Sequence, residues 1–168
     1  MLVFIHDESS PGLRPLGGAS RWWLDKSLTA FAARIEATGG QLTLRAGAPA
    51  AVLPALIAET GADSVFWNRR YQKAERDLDG ALMETFKASG VAVTSFNGRL
   101  LNEPWQIETG AGGHYKVFTP YWKAVRANYR APDALPAPAS LAGPHVASDT
   151  LSDWALHPTR PDWADGLD

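Results

Sequence analysis

The chain has 168 residues, 45% of them hydrophobic and 20% charged, enough for one globular domain with its own core and too few for two. A formal charge of -2 excludes a whole-chain electrostatic pull toward nucleic acid or an anionic membrane, and the absence of cysteine excludes a disulfide framework, a thiolate nucleophile and a cysteine metal site. No apolar run nears the roughly 18 residues of a membrane span and Met1-Leu-Val-Phe-Ile5 has no basic leader or cleavage signature, so a soluble protein of the reducing cytoplasm is expected.

Short β-type runs alternate with stretches of helical period, the pattern of βα units and a parallel sheet. Four strands are predicted: Leu2 to Asp7, closed by a carboxylate, then Gln41 to Arg45, Ser64 to Asn68 and Val91 to Phe96. Between the first two, Leu24, Leu28, Phe31 and Ile35 share one helical face, and Gly39-Gly40 ends the helix. Pro49 opens a second helix with Val52, Leu53, Leu56 and Ile57 as its stripe and Gly61 as its stop. A third, from about Ala74 to Lys87, packs Leu78, Leu82, Met83 and Phe86 ahead of Gly90. Thr119-Pro120 reads as N-cap and first residue of a last helix that turns Trp122, Val125 and Tyr129 inward.

The composition shifts at Ala131. Six of the 12 prolines and six aspartates lie in 131–168 with a single basic residue, Arg160, the signature of a linker. The body, 1–130, keeps 15 basic against 12 acidic residues and is mildly basic. Trp154 and Trp163 are costly to leave in water, so the tail is expected to lie against this body or, in preference, against a domain outside it.

Several motifs carry little chemistry. Gly110-Ala-Gly-Gly113 lacks the Lys-Ser/Thr ending of a phosphate loop and is read as a flexible loop. His6, His114, His145 and His157 have no metal-ligand spacing, so no metal is expected. There is no GxSxG elbow. Two clusters say more. Trp22 lies nearly opposite the apolar stripe of its helix, at a helix start that follows a strand, where open α/β sheets bind ligands; it either stacks on a planar ligand or an absent domain, or packs on the surface. Trp23, intermediate in angle, reads as structural, and Arg21 either holds an anion or is a solvated charge. Directly after the third strand come Trp67-Asn68-Arg69-Arg70-Tyr71 and then Glu75, Arg76 and Asp77. Amides and carboxylates read ring N–H groups while arginine grips acidic substituents, so this cluster suits a polar heterocycle; the alternative is a helix start held by ion pairs.

Leu16-Gly-Gly-Ala-Ser-Arg-Trp-Trp-Leu24, Trp67-Asn-Arg-Arg-Tyr71, Phe96-Asn-Gly-Arg-Leu-Leu-Asn-Glu-Pro104 and Tyr115-Lys-Val-Phe-Thr-Pro-Tyr-Trp122 stand in an order that resembles the N-terminal domain of the DNA photolyase and cryptochrome family. Leu151-Ser-Asp-Trp154 and Pro161-Asp-Trp-Ala164 look like the linker before that family's helical flavin domain. The resemblance implies a Rossmann-like α/β domain at 1–130, an interdomain linker at 131–168, and a parent photolyase that splits cyclobutane pyrimidine dimers in damaged DNA with light and FAD. It also implies an antenna pigment, a methenyltetrahydrofolate or an 8-hydroxy-5-deazaflavin, that passes excitation to the flavin. Carried over by position, the antenna contacts are Arg21, Arg70 and Glu75, and Trp22 and Asn68 join them from the reading of the two clusters. Arg70 falls where deazaflavin binders place a carboxylate, and Glu75 falls where folate binders place a glutamate but follows Ala74 in place of an amide, so the pigment stays open. FAD and DNA fall to the helical domain, leaving this chain inactive alone. A cryptochrome photoreceptor and a stand-alone nucleotide-binding module are the alternative readings.

One departure has a structural consequence. The family's first strand and helix, with a Trp-Phe-Arg-x-Asp-Leu-Arg motif, have no counterpart ahead of Leu2. The strands at Leu2 and Ser64 then either pair directly or leave a gap, which would make these residues marginally stable or oligomeric.

Overall fold

β-Branched and aromatic residues fill three of five places in three of the four short strands, and each of the first three strands is followed by a helix that returns the chain for the next parallel strand. The computed structural model describes residues 1–131 and 133–167. Strand β1 (Leu2–His6) leads to α1 (Gly18–Glu36), β2 (Leu42–Ala46) to α2 (Pro49–Thr60), β3 (Ser64–Asn68) to α3 (Lys73–Ala88), and β4 (Ala92–Phe96) to α4 (Phe118–Asn128). The α/β reading of the sequence stands.

All pairing is parallel. β1 runs beside β2 from Leu2↔Leu42 to His6↔Ala46, and β3 beside β4 from Ser64↔Ala92 to Asn68↔Phe96. The two pairs are not hydrogen-bonded to each other. Between β1 and β3 lies a gap, with Val3 on one side, Val65 and Phe66 on the other, and Leu53, Leu56 and Leu82 from α2 and α3 against it.

The main core is Leu28, Leu42 and Leu44, joined by Phe4, Leu24, Ala32 and Trp154. A second cluster buries Leu82 and Phe86 of α3 beside β4. Helix stops follow glycine chemistry: Gly61 caps α2 at φ 68 and Gly39 turns the chain after α1 at φ 81.

Several side chains depart from the sequence reading. Phe31 is 44% exposed: it sits at one margin of its stripe, and only the two strands β1 and β2 lie under α1. Met83 at 38% and Trp122 at 41% are likewise outward, while Val125 alone of its predicted inward set is fully buried. Helix α4 starts at Phe118 with Val117 as its cap, so Thr119 and Pro120 fall inside the first turn, where proline's missing N–H costs nothing. Trp22 and Trp23 exchange the places expected for them. Trp22 is half-buried, and Trp23 is 67% exposed. The Trp163 ring lies 3.5 Å from where a Cβ on Gly18 would stand, and Gly18 and Trp22, four residues apart, share a helix face.

The tail also follows the outer edge of β2. The Gln41 amide exchanges hydrogen bonds with the main chain of Val146, both 3.2 Å. The Leu44 N–H donates to Ser148 Oγ at 2.9 Å and the Ala46 N–H to the Asp149 carboxylate at 2.7 Å, and the Asp149 N–H donates to the Leu44 carbonyl at 2.9 Å. These bonds occupy a strand edge. A single 3-10 turn, Leu151–Trp154, then sets Trp154 on His6, with ring centres 4.9 Å apart, and beside Phe4. Trp154 therefore packs on this body, which corrects the preference for an outside domain at that residue.

Candidate functional site: a cleft at the carboxyl ends of β1 and β3

Where β1 ends, Asp7 folds the chain back on itself. Its Oδ1 accepts the main-chain N–H groups of Ser9 at 3.0 Å and Ser10 at 2.9 Å, an Asx turn. Burial alone would push the pKa of this carboxyl up, but the hydrogen bonds from Ser10 and Ser9 outweigh it and hold the group below its ordinary 3.8. Gly12, at φ 79, then passes close to α3: a Cβ there would stand 3.2 Å from Ala74 Cβ. That approach lays residues 13–17 across the start of α3.

Where β3 ends, the two arginines diverge. Arg69 turns to the β4 side, donating from Nε to Glu103 at 2.9 Å with its guanidinium 5.5 Å over the Trp105 ring. Glu103, 4% exposed, also accepts the Tyr71 hydroxyl at 3.0 Å. Burial and that bond raise the Tyr71 phenol, and Arg69 offsets part of the rise. Arg70 turns inward and meets Asp79 at 3.1 Å through Nε.

Between these two strand ends lies a cleft of about 860 Å³, lined by the polar side chains of Asp7, Arg14, Arg70, Gln72, Glu75 and Arg99, with His6 and Ser20 also on its wall. Asp7 Oδ2 and Glu75 Oε2 are shielded from solvent and have no hydrogen-bond partner among the described residues. Two waiting carboxylate acceptors near three guanidinium groups suit a heterocycle that offers N–H donors and carries an anionic substituent.

Of the five residues expected at the site, Arg70 and Glu75 line this cleft. Asn68 lines the adjoining gap between β1 and β3, against Gly98. Arg21 is engaged elsewhere: it pairs with Glu8 and donates to the carbonyl oxygens of Trp154 at 3.1 Å and Ala155 at 3.5 Å. Trp22 stands outside the cleft lining, 6.0 Å from the Lys26 ammonium. Sequence reasoning did not single out Arg14, Arg99 or Glu103. Arg14 and Arg99 carried a usable signal, since they follow the carboxyl ends of β1 and β4, where open sheets place ligands. Among the described residues no group of three His, Asp or Glu side chains could hold a metal, and no helix is long and apolar enough to cross a membrane.

Parallel strands flanked by helices, with a polar cleft at their carboxyl ends, define a Rossmann-like α/β domain. The family model described as DNA photolyase matches residues 1–139. A deoxyribodipyrimidine photo-lyase of Agrobacterium fabrum is 43% identical over 164 residues, covering 96% of this chain and 34% of that protein. Cryptochrome-2 of Arabidopsis thaliana is 34% identical over 122 residues, covering 72% of this chain and 20% of that protein. The crystal structure of a class III photolyase from Agrobacterium tumefaciens superposes with a TM-score of 0.88 at 43% identity, over 98% of this chain and 34% of that one. The chain belongs to the DNA photolyase family, and it spans about a third or less of the length of these relatives.

Proposed function

We propose that residues 1–130 are the antenna-binding domain of a DNA photolyase, that 131–168 connect it to a helical FAD domain in polypeptide outside these residues, and that the parent repairs pyrimidine dimers in damaged DNA in the cytoplasm. The observation that carries this reading is the pair of buried, unpartnered carboxylate oxygens of Asp7 and Glu75 in the arginine-lined cleft. A methenyltetrahydrofolate or an 8-hydroxy-5-deazaflavin, both planar and polar, fits that donor and acceptor set. Bound there, the pigment would absorb light and hand its excitation to the flavin. Glu75 and Asp7 would accept the ring N–H groups, Arg70 and Arg99 would face its acidic substituents, and Asn68 would stand at the inner end of the cleft. Arg21 and Trp22 would act indirectly, by holding the tail and the first turn of α1 in place. These residues alone would neither hold FAD nor repair DNA.

The test is a fluorescence and absorbance titration of the chain with each pigment and with ATP, repeated on Glu75→Ala and Arg70→Ala. Pigment binding that both variants weaken supports the proposal; binding of ATP alone would replace it with a stand-alone nucleotide module. A photoreceptor parent is the second reading, favoured by the likeness to Cryptochrome-2. Dimer repair by the longest polypeptide encoded at this locus would exclude it.

A further inference from the structure

The turn that leaves β4 carries the one Asn-Gly pair of the sequence, Asn97-Gly98, and both residues are exposed. Packing demands the glycine, because a Cβ there would stand 2.5 Å from Asn68 Cγ at the end of β3. The turn demands the asparagine. Its Oδ1 accepts the main-chain N–H groups of Arg99 at 3.2 Å and Leu100 at 3.0 Å, and its Nδ2 donates to the Leu100 carbonyl at 2.8 Å, an Asx turn closed by both ends of one amide. Two separate structural needs thus set a reactive pair side by side.

The same hydrogen bonds arrange a reaction. Bonds from residues 99 and 100 draw the Asn97 side chain over the peptide that joins it to Gly98, which holds the Gly98 nitrogen close to Asn97 Cγ. That nitrogen has no Cβ beside it, and its N–H makes no hydrogen bond among the described residues. The two N–H groups on Oδ1 stand where negative charge gathers when Cγ is attacked, as in an oxyanion hole. The Tyr71 hydroxyl, 3.5 Å from Oδ1, is committed to Glu103 at 3.0 Å. Other sites lack this arrangement. Asn68, Asn102 and Asn128 precede Arg69, Glu103 and Tyr129, whose side chains hinder the attacking nitrogen. Asp79-Gly80 lies within α3 with its carboxylate on Arg70, and Asp165-Gly166 offers an ionised carboxylate, a poor electrophile.

We infer that Asn97 is a self-modification site, at which the folded chain converts its own side-chain amide to an acid. The Gly98 nitrogen loses its proton to hydroxide and bonds to Asn97 Cγ. The Cγ–Nδ2 bond breaks, and Nδ2 takes a proton from water and leaves as ammonia. Water then opens the cyclic imide, giving aspartate where the new bond breaks and isoaspartate where the original main-chain bond breaks. Water is the only co-reactant. Aspartate sets a carboxylate oxygen against the Leu100 carbonyl in place of a donor, and isoaspartate adds a methylene to the main chain, so either product loosens residues 97–100. Arg99, inside that turn, lines the cleft, and its position there comes to depend on the age of the molecule. The assignment is independent of what the cleft binds.

The test incubates the 168-residue chain in mildly alkaline buffer at body temperature, folded and, in parallel, unfolded in guanidinium chloride. Peptide mapping by mass spectrometry follows the amide-to-acid mass change at each asparagine, enzymatic methylation detects isoaspartate, and hydrogen exchange is read by residue. The expected result is conversion at Asn97 in the folded chain at least as fast as in the unfolded chain, and faster by on the order of tenfold or more than at Asn68, Asn102 or Asn128. Conversion is accompanied by faster exchange of the Arg99 and Leu100 amides. Asn97→Gln, whose longer side chain must close a larger ring, removes the conversion, and Asn97→Asp shows the faster exchange from the start. Three results would overturn the inference: conversion at Asn97 that is slower by on the order of tenfold or more in the folded chain, so that the turn protects the pair; conversion at another asparagine first; or conversion that leaves exchange at Arg99 and Leu100 unchanged.

Discussion

Replacing Glu103 by alanine tests how the carboxyl end of the β3–β4 pair is held. The carboxylate is 4% exposed and accepts from Arg69 Nε and from the Tyr71 hydroxyl, while its main-chain N–H donates to the Gln106 side chain at 2.8 Å. Breaking a buried ion pair from one side costs about 3–5 kcal/mol, because the remaining charge is stranded. Here the stranded group is the Arg69 side chain, 33% exposed, with Ser95 Oγ 3.3 Å away and Trp105 beneath it. Water reaches it, so the cost falls to or below the lower end of that range, and Glu103→Ala should destabilise the chain by about 2–3 kcal/mol. Glu103→Gln keeps an acceptor and loses the charge, and should cost about 1 kcal/mol. Urea unfolding followed by tryptophan fluorescence gives both values, and ultraviolet titration of tyrosine should show the Tyr71 phenol falling toward its ordinary 10.0 in Glu103→Gln. A change under about 0.5 kcal/mol in Glu103→Ala, the range of an ordinary surface substitution, would refute the claim that this buried carboxylate holds Arg69 and Tyr71 at the carboxyl end of β3.

Phe86→Ala, at a ring only 2% exposed, should cost about 3–5 kcal/mol and leave little folded chain at 37 °C by circular dichroism. Asp149→Ala should expose the Ala46 amide to exchange and lower stability by about 1.5–3 kcal/mol, as expected for a charge-assisted bond to main chain. The Asp7 carboxyl is held below 3.8 in the fold, so its contribution is complete above that pH and disappears as the pH falls through the lower folded value. Stability of wild type minus Asp7→Asn should therefore be flat from pH 7 to about 5 and shrink below about pH 4; a difference that grows on acidification would reverse the assigned sign.

The repeating βα order was legible in the sequence because hydrophobic runs and glycine stops are local signals, and the four strands and the glycine turns fell where those signals lie. Side-chain placement was less legible where it depends on long-range packing. Trp22 and Trp23 exchanged roles at a helix start where Trp163, more than 130 positions away, lies against Gly18. Phe31 and Met83 satisfy helical periodicity, yet a two-stranded sheet is too narrow to bury everything on the stripe. At the cleft, Arg70 and Glu75 were visible because they follow a strand directly. Arg14 and Arg99 also follow strand ends, but only the Gly12 approach and the turn after β4 bring them to this cleft. Arg21 looked like a ligand contact from its helix start, and its partners turned out to be carbonyl oxygens of the tail, which no local pattern announces.

The most direct measurement of the central claim is the dissociation constant of methenyltetrahydrofolate and of 8-hydroxy-5-deazaflavin for the chain and for Glu75→Gln, with Arg21→Ala as a variant outside the cleft. Glu75→Gln removes the charge on a buried acceptor, worth about 1.5–3 kcal/mol to a charge-assisted bond, so one pigment should bind and lose on the order of tenfold to a hundredfold in affinity. Arg21→Ala should keep that affinity within about twofold while lowering the melting temperature, because its partners are the tail and Glu8. Pigment binding unaffected by Glu75→Gln, or lost in Arg21→Ala and kept in Glu75→Gln, would contradict the cleft as the site.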